Sequence, residues 1–271
     1  MSFIMQADNV SKTFGSGSFL NRNTVEAVSE VSFALNKGEV LAIVGESGSG
    51  KSTLARMLVH LIEPTSGQIR FEGRDLSRRS MARKAIAKDV QMIFQDPFET
   101  MNPNQRVYEI IGRPLKLHGG KGDIKAKVIE LLQKVGLNPA EMYLDKYASQ
   151  LSGGQKQRVM IARALGIDPR VLIADEPTSM LDVSVGIDIM NLMLDLKQDF
   201  DLSLVWITHN LGSARYMSDR ILIMYKGRIV ESGSTEEIIA NPKHAYTKAL
   251  LEASPDPWRR WKDAEHNRMR Q

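Results

Sequence analysis

The sequence predicts an α/β fold in which a sheet is covered on both faces and a helical segment interrupts the sheet-forming chain. Short apolar runs of four or five residues recur along the chain and are too short to be helices. Helical patterns separate them, the arrangement that buries both faces of a sheet. Roughly 75 residues between the second and third runs carry no strong strand pattern.

In chain order, the strand candidates are Val40–Val44, Val90–Phe94, Val171–Ala174, Leu204–Ile207 and Ile221–Met224. Helical spacing runs around Val107–Leu117 and Lys125–Val135, the second ended by Gly136, so this stretch reads as a helical subdomain inserted in the sheet domain. Gly15-Ser16-Gly17-Ser18 reads as a flexible turn. Ser234-Thr235-Glu236-Glu237 has the spacing of a capping box and opens a helix that Asn241-Pro242 stops.

Composition narrows the class. With 42% hydrophobic and 25% charged residues, the 271-residue chain is a folded protein of one large domain or two small ones. A net charge of +4 is mild and gives no reason to expect a nucleic-acid partner. Its densest part, Trp258-Arg259-Arg260-Trp261-Lys262, suits either an acidic membrane surface or a frayed, solvated end. The chain has no cysteine, which excludes disulfides, thiolate zinc sites and cysteine-ligated iron–sulfur clusters. No signal-peptide pattern opens it, and no apolar stretch approaches the ~20 residues that span a bilayer, so a cytosolic place is expected.

Gly45-Glu46-Ser47-Gly48-Ser49-Gly50-Lys51-Ser52 follows the first apolar run directly and fits the phosphate-loop pattern G-x-x-x-x-G-K-[ST]. Glycines let backbone N–H groups close around a polyphosphate, and a helix starting near Lys51 adds its positive end. Lys51 is expected on the β- and γ-phosphates and the Ser52 hydroxyl on Mg²⁺; an idle glycine-rich turn is the bland alternative. The third run ends in Asp175-Glu176-Pro177, where Asp175 would hold Mg²⁺ and Glu176 would polarise a water for attack on the γ-phosphorus. Two acids at a strand end mean little alone, but beside a phosphate loop they mark a nucleotide site. His209 follows the fourth run, and open α/β sheets bind ligands at the carboxyl ends of their strands.

Leu151-Ser152-Gly153-Gly154-Gln155 precedes the helical pattern of Val159, Ala162 and Leu165. Ser152 and Gln155 form a capping box, which by itself describes only a well-capped helix. Two glycines inside the helix start weaken it, and they make sense if an anionic ligand must approach the backbone there.

Together these motifs resemble the ATPase of an ABC transporter: the Gly45–Ser52 loop, Gln95 after the second run, the Leu151–Gln155 signature, Asp175-Glu176 and His209, in that order. Ser179-Met180-Leu181-Asp182 resembles its D-loop, and Phe14 falls where that family stacks an aromatic on adenine. The resemblance implies a P-loop NTPase (RecA-like) core over 1–95 and 166–233 that includes an N-terminal antiparallel β subdomain. It also implies a helical subdomain over 96–165 that carries the signature, and a C-terminal extension over 234–271. ATP and Mg²⁺ would be bound by Phe14, the loop from Gly45 to Thr53, Gln95 and Asp175. Of these, Ser52, Gln95 and Asp175 would face the metal, with Glu176 and His209 catalytic. A second ABC ATPase subunit would pair head to tail, so that each ATP touches the phosphate loop of one chain and Ser152, Gly153, Gly154 and Gln155 of the other.

A closer likeness, to the oligopeptide/dipeptide branch of importers, rests on Gln91-Met92-Ile93-Phe94-Gln95-Asp96-Pro97-Phe98, then Met101-Asn102-Pro103, and on Asn241–Leu251. That branch implies a different chain as the ATPase partner, two membrane permease subunits, an extracytoplasmic binding protein, and a place on the cytoplasmic face of the cell membrane. The chain departs from the pattern in lacking the cysteine-rich, cluster-binding tail of many members. Asn210 also stands where Asp is usual, and Met180 where Ala is usual.

Rival classes fit less well. Chromosome- and repair-type relatives need a long coiled coil or zinc-binding cysteines, and ribosome-acting ones usually carry two cassettes. A regulatory or non-transport cassette remains as the alternative, against which stand the intact Lys51, Asp175, Glu176 and His209. Phe98 and Met101 lie between Pro97 and Pro103. They are expected to line a groove for an amphipathic permease helix, the other reading being that they fill the subdomain's own core.

Overall fold

The computed structural model describes residues 3–16, 23–76, 86–96, 100–118 and 122–253. Two long strands open the chain, β1 (Phe3–Ser16) and β2 (Asn23–Asn36). After them come β3 (Val40–Val44), α1 (Lys51–Leu58), β4 (Ser66–Phe71) and β5 (Arg74–Asp75). An antiparallel sheet forms in the order β2-β1-β4-β5. Neither β1 nor β2 is announced by a clean period of two in the sequence. Their register slips at several bulges, and Asn9 (φ 47°) and Glu30 (φ 50°) turn into the left-handed region.

The remaining strands are β6 (Val90–Ile93), β7 (Val171–Asp175), β8 (Ser203–Thr208), β9 (Arg220–Tyr225) and β10 (Arg228–Ser234). They join β3 in a six-stranded sheet ordered β10-β9-β3-β8-β7-β6, parallel except for the β9–β10 hairpin. All five apolar runs lie in this sheet. Unbroken burial along β3, β7 and β8 explains why they read as continuous apolar runs.

Between β6 and β7 lie α2 (Val107–Leu117), α3 (Ile124–Lys134), α4 (Glu141–Leu144) and α5 (Gly153–Leu165). Asp123 caps α3 by accepting the Lys125 N–H at 2.8 Å, and Gly136 (φ 74°) follows its end. Among the described residues, the helical segment shares its core with the sheet. Ile111, Leu131, Leu132 and Val159 share one apolar cluster with Val40, Leu172, Leu204 and Trp206 of the strands. Met101 is buried in the same cluster at 5% exposure, so it fills the core instead of lining a docking groove as expected. Phe98 lies outside the described residues, as do Gly17, Ser18 and the Trp258–Lys262 run.

After β7 comes α6 (Val183–Asp199), then α7 (Leu211–Met217), α8 (Thr235–Ala240) and α9 (Ala245–Ala253). Ser234 caps α8 by accepting the Glu237 N–H at 3.2 Å, the N-cap half of the predicted capping box. Another apolar cluster fixes the C-terminal helices to the sheet: Ile238 and the partly buried Tyr246, Leu250 and Leu251 pack with Val44, Ile221 and Ile223. Among the described residues, no helix is long and apolar enough to cross a membrane.

Candidate nucleotide site

The loop between β3 and α1 is pressed against two other strands. A Cβ on Gly45 would stand 2.1 Å from the Met224 carbonyl oxygen, and one on Gly50 would stand 2.2 Å from that of Ala27. Gly50 also holds φ at 102°, so only glycine fits there without moving β2. Gly50 caps α1, which has no acidic residue in its first turn, so its positive end stays open to an anion.

Lys51 is 4% exposed. Its Nζ donates to the carbonyls of Gly45 and Glu46, both at 2.8 Å, and lies 3.7 Å from Glu176 Oε1. Burial lowers the ammonium pKa, against the pull of the Glu176 and Asp175 carboxylates. Ser52 Oγ donates to Asp175 Oδ1 at 3.2 Å. Burial raises the Asp175 carboxyl above its ordinary value, opposed by the Ser52 hydrogen bond.

That raised value has a consequence for stability. Ionised Asp175 is disfavoured in the fold, and the disadvantage is present above its folded pKa and absent below its ordinary value of 3.8. Asp175→Asn should therefore raise Tm near neutral pH. The gain should vanish as the pH falls towards the ordinary aspartate range. Melting curves across that range check it, and a substitution that lowers Tm at neutral pH contradicts it.

Glu176 sits on a strained turn. Its φ is 45°, held there by its N–H to the Ile207 carbonyl at 2.9 Å and by its own carbonyl, which accepts from Ser179 N at 3.1 Å and Ser179 Oγ at 2.9 Å. The turn directs the side chain between neighbouring strand ends. Oε2 lies 2.9 Å from His209 Nδ1 and accepts from Gln95 Nε2 at 3.4 Å. Loops after β6, β7 and β8 thus bring Gln95, Glu176 and His209 to one place beside Lys51.

These groups border a cleft of about 930 Å³. Glu46, Ser47, Gly48, Gly50, Lys51, Ser52 and Thr53 form its floor, with Gln95, Glu176 and His209 on one side. Gly45, Ser49 and Asp175 do not line it; Ser49 and Asp175 are buried at 5% and 3% exposure. Ala27, Asn210 and α9 residues Ala249, Leu250 and Ala253 also line the cleft, and the sequence did not single them out for this. The helical spacing of the α9 residues could have flagged a shared face, whereas nothing marks Ala27 in isolation. Asn210 does what an aspartate would do there: its side chain caps α7 by accepting the Ser213 N–H at 3.1 Å.

Two sequence candidates stand outside the cleft. Phe14 is 44% exposed on β1, which rules out a core role, and pairs with Val25, two residues along β2 from Ala27. Ser152, Gly153, Gly154 and Gln155 begin α5, where Ser152 Oγ accepts the Gln155 N–H at 3.3 Å and Gln155 Oε1 accepts the Ser152 N–H at 3.0 Å. A Cβ on Gly154 would approach Val185 Cγ1 to 2.7 Å. Glycine there thus lets α5 pack against α6, a reason independent of any ligand.

A profile of the ABC transporter family matches residues 28–179, more than half of the chain. The chain belongs to that family. It is an ABC ATPase: an ATP-binding subunit whose activity is ATP hydrolysis. A second profile, the oligopeptide/dipeptide transporter C-terminal region, matches residues 230–271. The dipeptide transport ATP-binding protein DppF of Haemophilus influenzae is 44% identical over 242 residues, which is 88% of this chain and 73% of the relative. The oligopeptide transport ATP-binding protein AppF of Bacillus subtilis is 44% identical over 259 residues, 93% of this chain and 78% of the relative. Among solved structures, cbiO1 of Clostridium perfringens, part of the ABC transporter complex cbiONQ, superimposes with a TM-score of 0.76 at 26% identity. That match covers 89% of this ABC ATPase and 92% of cbiO1. The ATP-binding cassette MJ0796, a dimer bound to ADP and Pi, superimposes with a TM-score of 0.74 at 28% identity, covering 85% and 98%.

Proposed function

We propose that this ABC ATPase powers the import of peptides or a related small solute, working at the cytoplasmic face of the membrane beside two permease subunits and fed by an extracytoplasmic binding protein. The observation that carries the reading is a hydrolytic constellation, Lys51, Glu176, His209 and Gln95, in a chain whose C-terminal region matches that of oligopeptide/dipeptide transporters. ATP phosphates would replace the carbonyls now held by Lys51 Nζ, and Glu176 would take the proton of the attacking water while His209 orients its carboxylate. The hydroxyl of Ser52, the carboxylate of Asp175 and the amide oxygen of Gln95 are hard oxygen donors that suit Mg²⁺, which would neutralise phosphate charge. Phe14, 44% exposed near the end of β1, would take the adenine ring in place of Lys12, whose ammonium now lies 5.2 Å from the ring centroid.

The partner in this reading is a second ABC ATPase, a different chain, set head to tail so that Ser152–Gln155 complete the partner's site. Beside that helix start, Met180 (56% exposed) and Val183 (82% exposed) present apolar surface that a partner would cover. With Met101 in the core, a groove along α2 lined by Tyr108, Glu109 and Arg113 is the surface among the described residues that we assign to a permease helix. Cells in which Lys51→Ala replaces the native chain should lose ATP-dependent uptake of labelled di- or oligopeptides while the complex still assembles. Undiminished uptake of every peptide tested, alongside lost uptake of another solute, would overturn the peptide assignment.

A further inference from the structure

The C-terminal motif Asn241–Leu251 is wired to the phosphate loop. The Glu46 N–H, inside that loop, donates to Tyr246 Oη at 2.9 Å. The Tyr246 ring packs on Tyr225 with centroids 4.2 Å apart. The turn before α9 is itself held. Glu231 accepts the N–H groups of Lys243 at 2.7 Å and His244 at 3.0 Å, and His244 Nδ1 accepts the Tyr246 N–H at 3.2 Å. Burial pushes the Glu231 carboxyl up, but these and other hydrogen bonds outweigh it and leave the carboxyl below its ordinary value. Along α9, Tyr246, Leu250 and Ala253 follow one helical face, and Leu250 and Ala253, with Ala249, form a wall of the nucleotide cleft.

We propose that Tyr246 is a positioning residue for ATP binding, holding the start of the phosphate loop in its receiving conformation through the Glu46 N–H. The proposal rests on the reading of Gly45–Ser52 as the phosphate loop. Such a loop binds through N–H groups that must already point inward, and a loop held in that shape loses less freedom when the ligand arrives. Glu46 has one N–H, and Tyr246 Oη engages it from outside the loop while the carbonyls of Gly45 and Glu46 face Lys51. The C-terminal extension thereby acts on the affinity of the site for nucleotide and not on the chemical step.

Tyr246→Phe in the full chain tests this, because it removes the hydroxyl and keeps the ring on Tyr225. The expected result is a Kd for ATP, measured by calorimetry with magnesium present, raised about three- to tenfold, the scale of one hydrogen bond's net contribution. KM should rise with it, with kcat at saturating ATP and Tm unchanged. Glu231→Gln, which slackens the turn without touching the loop, should raise Kd in the same direction by less. An unchanged or lowered Kd in Tyr246→Phe, or a fall in Tm with Kd per folded molecule unchanged, overturns the proposal. Lys51→Ala in the same assay separates the two failures. If it weakens binding while Tyr246→Phe does not, only the role of Tyr246 falls. If it has no effect, the phosphate-loop reading falls and takes the role of Tyr246 with it.

Discussion

Glu176→Gln should bind ATP with near-native affinity and hydrolyse it about 10²–10⁴-fold more slowly, the usual contribution of a positioned general base. The side-chain environment makes the substitution a clean one. Gln keeps the size of Glu, and its oxygen can still accept from Gln95 Nε2 or face His209 Nδ1, the partners now at 3.4 and 2.9 Å. The backbone turn at φ 45° is held by main-chain and Ser179 hydrogen bonds that do not involve the side chain. What is lost is the negative oxygen that can take a proton, and with it the 3.7 Å ion pair to Lys51. Single-turnover hydrolysis in the assembled complex, alongside equilibrium ATP binding, measures the effect. Turnover within a few-fold of the native rate would remove Glu176 from the role of base.

Ser152→Arg should slow hydrolysis about 10²–10³-fold at the composite site whose phosphate loop belongs to the partner, and spare the site holding this chain's own Lys51. Ser152 is the exposed cap of α5, 3.3 Å from the Gln155 N–H, and it stands apart from the cleft of its own chain. An arginine there puts a bulky cation at a helix start that favours anions. Losing a donor aimed at developing phosphate charge costs about 10²–10³-fold in rate. Losing the cap costs the chain itself only about 1 kcal/mol. Mixed complexes with one mutated chain, assayed site by site, read the crossing. Damage confined to the mutated chain's own site would show that the signature does not act on a partner.

Much of the site was legible because its residues are read by type at fixed spacing. Gly45–Ser52 after an apolar strand needs glycine for backbone approach, and the structure shows the approach at Gly45 and Gly50. Asp175 and Glu176 were read as two acids at a strand end beside a phosphate loop, and His209 by the rule that parallel strands present ligand-binding groups at their carboxyl ends. The five apolar runs were legible for a related reason: strands buried on both faces have no polar side to hide them. By contrast, β1 and β2 were implied only through the family resemblance, as an N-terminal antiparallel β subdomain, because bulges break the alternation that a half-wet sheet would otherwise show.

What only the tertiary structure decided concerns contacts between residues far apart in the chain. Met101 is a buried core residue because the helical segment shares its apolar cluster with the sheet. Gly154 is glycine at least in part because Val185 of α6 packs against it. Tyr246 lies 200 positions from Glu46, yet its hydroxyl meets a phosphate-loop N–H. Local spacing determined the chemistry this chain can perform, since a phosphate loop and a strand-end acid are defined within a few residues. Which helices wall that chemistry in depended on long-range packing, and no period in the sequence encodes that.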